Sequence, residues 1–228
     1  MSSEQFKYHQ GVLNVPLLLV FSCWVVYYIE IKFGFNFNKW GIRPGEIYGL
    51  RGVFFGPFIH GSFRHLFNNS FPLLVMSGVL FYFYRTISWK VLITGTFLTG
   101  VLTWMIARPA YHIGASGVVY FLVSFIFFSG VFRKYYRLAA VSLITVFLYG
   151  SMVWYIFPME ERISWEGHLS GFITGLVMAF VFRKVGPKPE IFEFHRNEEF
   201  ESYFDEEGNF NPPEPASESD EKPSETSH

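Results

Sequence analysis

Apolar residues in this chain fall in long blocks separated by short polar stretches. They do not alternate as in a half-buried strand, and they are too continuous for a water-facing helix. Six blocks are expected to be long enough to cross a bilayer, which takes roughly twenty residues at helical rise. They cover residues 12–33, 66–84, 89–107, 115–132, 138–157 and 168–183. The pattern predicts an all-α, polytopic membrane protein, a bundle of six transmembrane helices. The first block is too long for the apolar region of a signal peptide and lacks a small-residue cleavage site, so it is expected to remain as a span. The longest connection, about 34–64, carries Phe54, Phe55, Phe58 and Ile59 among Gly and Pro residues. A connection that long and that apolar is expected to pack on or in the membrane.

Charge divides the chain in two. Residues 1–185 hold 15 Lys/Arg against 6 Asp/Glu, whereas residues 186–228 hold 3 against 13. The first part reads as the membrane domain and the second as an acidic, solvated tail. With runs such as Pro-Pro-Glu-Pro, the tail has too little apolar surface to offset its ordering entropy, so disorder is expected. Its Phe192, Phe194, Phe200 and Phe204 are the residues that could reach a membrane surface or a partner. The lone cysteine, Cys23, excludes an intramolecular disulfide. The lipid bilayer is the partner expected from this pattern, and no nucleic acid and no cofactor is expected.

Cations in short loops set the orientation. Arg85 and Lys90, then Arg133, Lys134 and Arg137, then Arg183, Lys184 and Lys188 follow the even-numbered blocks. The opposite side offers Arg108 and Arg162 beside Glu160, Glu161 and Glu166. Lys39, Arg43, Arg51 and Arg64 in the long connection weaken the bias without reversing it. Both termini are expected in the cytoplasm.

Polar groups that break the apolar map are few: His65 and Asn69, Ser116, and His168. Each stands at the start of an even-numbered block. In a six-span protein those starts share one membrane face, so the groups are expected to converge. His65 and Asn69, spaced i, i+4, stack on one helix face. Both can donate hydrogen bonds, as an oxyanion requires. Ser116 lies where free N–H groups and the positive end of a helix dipole favour negative charge. His168 at a helix start is held neutral by the same dipole and can serve as a base. No acidic residue is expected inside blocks two, four or six to orient it, so the economical arrangement is a Ser–His dyad. Gly167, Gly171 and Gly175 form a small-residue stripe that lets block six press against block four.

These residues resemble the rhomboid intramembrane serine proteases. The likeness rests on Gly114-Ala115-Ser116-Gly117 with Tyr120 three residues on, and on His65 and Asn69 with His60 upstream. It includes Gly-His-x-x-Gly-x-x-x-Gly from Gly167 to Gly175, and spans roughly residues 40–184. The resemblance implies Ser116 as nucleophile and His168 as base. His65 and Asn69, with the Ser116 N–H, would form the oxyanion hole, and Tyr120, Gly114 and Gly117 would support the site. It further implies single-span membrane proteins as substrates and a bacterial-type cell membrane. One departure is the first loop, where many members carry Trp-Arg and this chain reads Leu50-Arg51-Gly52-Val53.

Each residue also has a plainer reading. Ser116 could cap a helix, His65 and Asn69 could be interhelical glue, and His168 could be a satisfied interfacial histidine. A metal site drawing on His60, His65, His112 and His168 lacks His-Glu-x-x-His and an intramembrane carboxylate. A soluble-type hydrolase would need glycine where Val118 stands. A channel or transporter would call for more buried charge or repeated broken helices. The rival class is a catalytically inactive relative that binds transmembrane helices. Such relatives typically lose the serine or histidine, and both are present here.

Overall fold

The computed structural model describes residues 9–148, 154–158, 163–187 and 197–211. Among them the chain is helical, with two isolated β-bridges and no strand. The helices are α1 (Gly11–Phe33), α2 (Gly52–Phe55), α3 (Phe63–Phe83), α4 (Ser88–Ile106), α5 (Ser116–Arg133), α6 (Tyr136–Leu148), α7 (Trp165–Val181) and α8 (Glu198–Glu201). Single 3-10 turns occupy Phe37–Trp40, Ile47–Arg51, Gly56–Phe58 and Trp154–Ile156.

Four of these helices, α1, α3, α4 and α5, are long and apolar enough to cross a membrane. The remaining two blocks differ from expectation. Where one helix over 138–157 is expected, the described part of α6 covers Tyr136–Leu148, and Trp154–Ile156 is a 3-10 turn and not α-helix. Helix α7 begins three residues earlier than expected and has 17 residues, about 25 Å. Residues 149–153, and with them the middle of the fifth block, lie outside the described residues. So do Glu160, Glu161, Arg162, Lys188, Phe192 and Phe194.

Helix α5 is the centre of the membrane unit. Eleven of its 18 residues are buried, on every side of the helix, as expected for one enclosed by others. Its closest neighbour is α7, and the glycine stripe explains why. A Cβ on Gly175 would stand 2.5 Å from the Phe121 carbonyl and 2.6 Å from Cβ of Ser124. Only hydrogen at these positions lets the two backbones meet. The Ser124 hydroxyl then donates across the interface to the Phe172 carbonyl at 2.7 Å. At the far end Arg133 donates to Tyr84 Oη at 3.2 Å and to the carbonyls of Phe182 and Val185, tying α5 to the ends of α3 and α7.

The long connection is folded against the bundle. Ile42 and His112 exchange backbone hydrogen bonds of 2.9 Å in each direction, and Gly114 N donates to the Gly56 carbonyl at 2.9 Å. Arg51 lies over the Trp40 ring at 4.7 Å and donates to the Lys39 carbonyl. Its aromatic partners thus stand eleven and three positions upstream, Trp40 and Tyr48, and not at the adjacent residue. Arg43 caps the other side, donating to the Pro109 carbonyl at 2.6 Å.

Glu190–His228 forms a second unit, separate from Met1–Pro189. Its described part is α8 followed by a turn. Asn197 caps the helix, Asp205 accepts from the N–H groups of Glu207 and Asn209, and Phe204 packs between Phe200 and Phe210.

Candidate active site

Helices α3, α5 and α7 begin at one end of the bundle and carry their polar residues to a common point. Ser62 starts α3 by accepting from His65 N at 3.2 Å. The segment before α5 is held by His60, whose Nε2 accepts the Ala115 N–H at 3.3 Å. A carbonyl only accepts, so the His60 ring gives its Nδ1–H to Phe58 and leaves Nε2 bare for that role. Burial, and after it the neighbouring His65, push His60 down to about 4, which keeps the ring neutral.

Ser116 is the first residue of α5, and Ala115 occupies the cap position. Its hydroxyl therefore does not cap the helix. It lies 2.9 Å from His168 Nε2. His168 Nδ1 is 2.8 Å from the Tyr155 carbonyl. That carbonyl can only accept, so Nδ1 carries the proton and Nε2 presents its lone pair to the Ser116 O–H. The Tyr120 ring stacks on the imidazole at 4.3 Å and 13°. One face of His168 is covered, its outer nitrogen is tied down, and its inner nitrogen faces the serine.

His65 and Asn69 stand beside the same turn. Gly114 has φ +106°, and a Cβ there would be 2.5 Å from His65 Nε2 and 3.5 Å from Asn69 Nδ2. The glycine thus admits both side chains to the approach to Ser116. Asn69 is 8% exposed and its amide nitrogen has no hydrogen-bond partner among the described residues. A buried donor without a partner is costly in a folded protein unless something arrives to use it. On the other side, a Cβ on Gly117 would be 3.3 Å from the Gly167 carbonyl and from Thr99 Cγ2, so Gly117 sits at the crossing of α5 with α4 and α7.

Two further features escape sequence reasoning. The Tyr155 carbonyl orients His168, yet a backbone group leaves no residue-type signal. Glu166 corrects the expectation that these helices hold no acid: α7 starts at Trp165 and takes it in, 3% exposed. It is neither of the His168 ring's two nitrogen partners; it accepts from the Arg108 backbone N–H at 3.3 Å and pairs with Arg108 Nη1 at 3.6 Å. Arg108 also donates to the Ile163 carbonyl at 2.8 Å. His112 Nδ1 meets the Ser164 hydroxyl at 2.6 Å, drawing that serine away from capping α7. Burial holds His112 below the ordinary histidine range. Together these bonds staple the segment before Ser116 to the segment before His168. Among the described residues no cluster of His, Cys, Asp or Glu could hold a metal ion.

Fold and site define an integral membrane protein of apolar helices, with a half-buried serine against a buried histidine at one end. The Rhomboid domain profile matches residues 45–185, and the chain belongs to the rhomboid family. An uncharacterized protein of Mycobacterium tuberculosis, Rv1337, is 31% identical over 198 residues, 79% of this chain and 80% of the relative. Another, ML1171 of Mycobacterium leprae, is 30% identical over 158 residues, 62% of this chain and 59% of the relative.

Proposed function

We propose that this protein is an intramembrane serine protease that cleaves transmembrane segments of single-span membrane proteins. The observation that carries the reading is the 2.9 Å contact between Ser116 Oγ and a His168 Nε2 whose protonation is set by the Tyr155 carbonyl. Membership in the family supports it. In this reading Ser116 Oγ attacks the scissile carbonyl carbon while Nε2 takes the hydroxyl proton. The Tyr155 carbonyl favours the imidazolium that results, as the third member does in a triad. Asn69, His65 and the Ser116 N–H donate to the oxyanion, and Tyr120 keeps the imidazole flat against α5. The Nε2 proton passes to the leaving amine, the C–N bond breaks, and an acyl-enzyme remains on Ser116. Water, deprotonated by His168, then attacks the ester and releases the second product.

The substrate helix must unwind at the cut, since an intact helix hides its carbonyls in hydrogen bonds. Weak helix formers near the scissile bond and a small residue before it suit that need. Six membrane crossings, with α6 and α7 as the fifth and sixth, would place both termini in the cytoplasm and the dyad toward the opposite side of a bacterial-type cell membrane, where water can enter.

Purified wild type and Ser116→Ala protein, each treated with a fluorophosphonate probe in detergent, test the proposal. Labelling of wild type alone, with loss of substrate cleavage in Ser116→Ala and His168→Ala, is the expected result. A folded wild-type protein that neither labels nor cleaves would overturn it in favour of a helix-binding relative without catalysis.

A further inference from the structure

Helices α1 and α4 do not close on one another. Helix α1 packs chiefly against α3, while α4 packs against α5 and α7. Between them lies a cavity of about 440 Å³, roofed by Val53–Phe58 of the connection. Its floor is Cys23, Leu73, Ala115 and Val118, all buried. Its rim is Phe54, Trp89, Ile93 and Phe97, all exposed, and Phe54 and Phe97 bring their rings to 6.0 Å.

We propose that this gap is a binding site for one acyl chain of a bilayer lipid. Three observations commit it to that occupant. Both walls are helices long and apolar enough to span a membrane, so the rim opens where the surrounding solvent is hydrocarbon. The lining is almost wholly carbon, leaving a water molecule no set of polar partners. The volume holds on the order of fifteen groups of about 30 Å³, which suits one chain and not a second helix about 10 Å across. Along α4 the gap runs from Trp89 to Phe97, about 12 Å, which accommodates a chain lying parallel to the helix.

The far end of this chain would press on Ala115 and Val118, which flank Ser116 in sequence. The proposal rests on the membrane reading of α1 and α4 and not on the serine chemistry. It can therefore fail while the dyad stands, and the reverse.

The test uses the full chain in vesicles of phosphatidylcholine bearing a diazirine within one acyl chain. After irradiation, adducts are mapped by peptide mass spectrometry. Labelling at Leu73 and Leu92, well above that at Phe147 on the outer face of α6, is expected. Leu19→Trp and Ile93→Trp narrow the gap from opposite walls and should each lower gap labelling several-fold, with Phe147 unchanged. Wild-type labelling at Leu73 and Leu92 no greater than at Phe147 would overturn the proposal without reference to either variant. So would gap labelling that survives in both variants while they remain folded.

Discussion

Replacing Gly114 by alanine adds one methyl group at the most crowded turn of the site. Two separate costs follow. At φ +106° an L-residue is strained by about 1–2 kcal/mol. The new Cβ would also stand 2.5 Å from Cε1 and Nε2 of His65, where ordinary contact begins near 3.4 Å. The ring must therefore retreat by about 1 Å, a misplacement that costs on the order of 10²-fold in rate when it touches an oxyanion donor. Two controls separate these effects. Gly34 has φ +67° with nothing within 4 Å, so Gly34→Ala carries strain alone. Gly61 lies near the same turn without left-handed backbone, and its Cβ would meet only Ile113 at 3.6 Å. Thermal unfolding in detergent should fall for Gly34→Ala, fall further for Gly114→Ala, and stay near wild type for Gly61→Ala. Cleavage of a single-span reporter in vesicles should fall about 10²-fold for Gly114→Ala only. If Gly114→Ala cleaves as fast as Gly34→Ala, the assignment of His65 to the reacting carbonyl is wrong.

Two further outcomes are expected. Gly175→Leu drives a branched side chain into the Phe121 carbonyl and forces α7 off α5, so it should lower the melting temperature and abolish cleavage together, as read by thermal unfolding and the reporter assay. Acid should weaken the protein through His60: the unfolded ring protonates near pH 6.5 and the folded ring only at about 4, so stability is fully present above pH 6.5 and drains as pH falls toward 4. The limit is about 3 kcal/mol. His112, depressed in the same direction by burial, adds to it. His60→Gln, which keeps an acceptor for Ala115 N, should flatten the melting temperature between pH 6.5 and 4.5, and an unchanged slope would show that His60 is not the group responsible.

The apolar blocks determined by themselves that this is a helical membrane protein, because hydrocarbon leaves backbone groups no partner outside their own helix. Order and parity of the blocks placed the starts of α3, α5 and α7 at one end. For the same reason the convergence of His65, Asn69, Ser116 and His168 was legible without coordinates. The glycine stripe announced the close packing of α5 on α7. Tertiary structure alone decided the rest. The 3-10 turn at Trp154–Ile156 could not be read from hydropathy, since 138–157 is apolar throughout and the turn depends on what Tyr155 meets. The carbonyl that orients His168 is invisible in sequence because every residue has one. Glu166 looked like a loop charge until α7 proved to start before it and Arg108 folded over it. The gap between α1 and α4 likewise reflects which helices choose one another as neighbours, and a pattern of apolar residues is equally satisfied by a helix or by lipid.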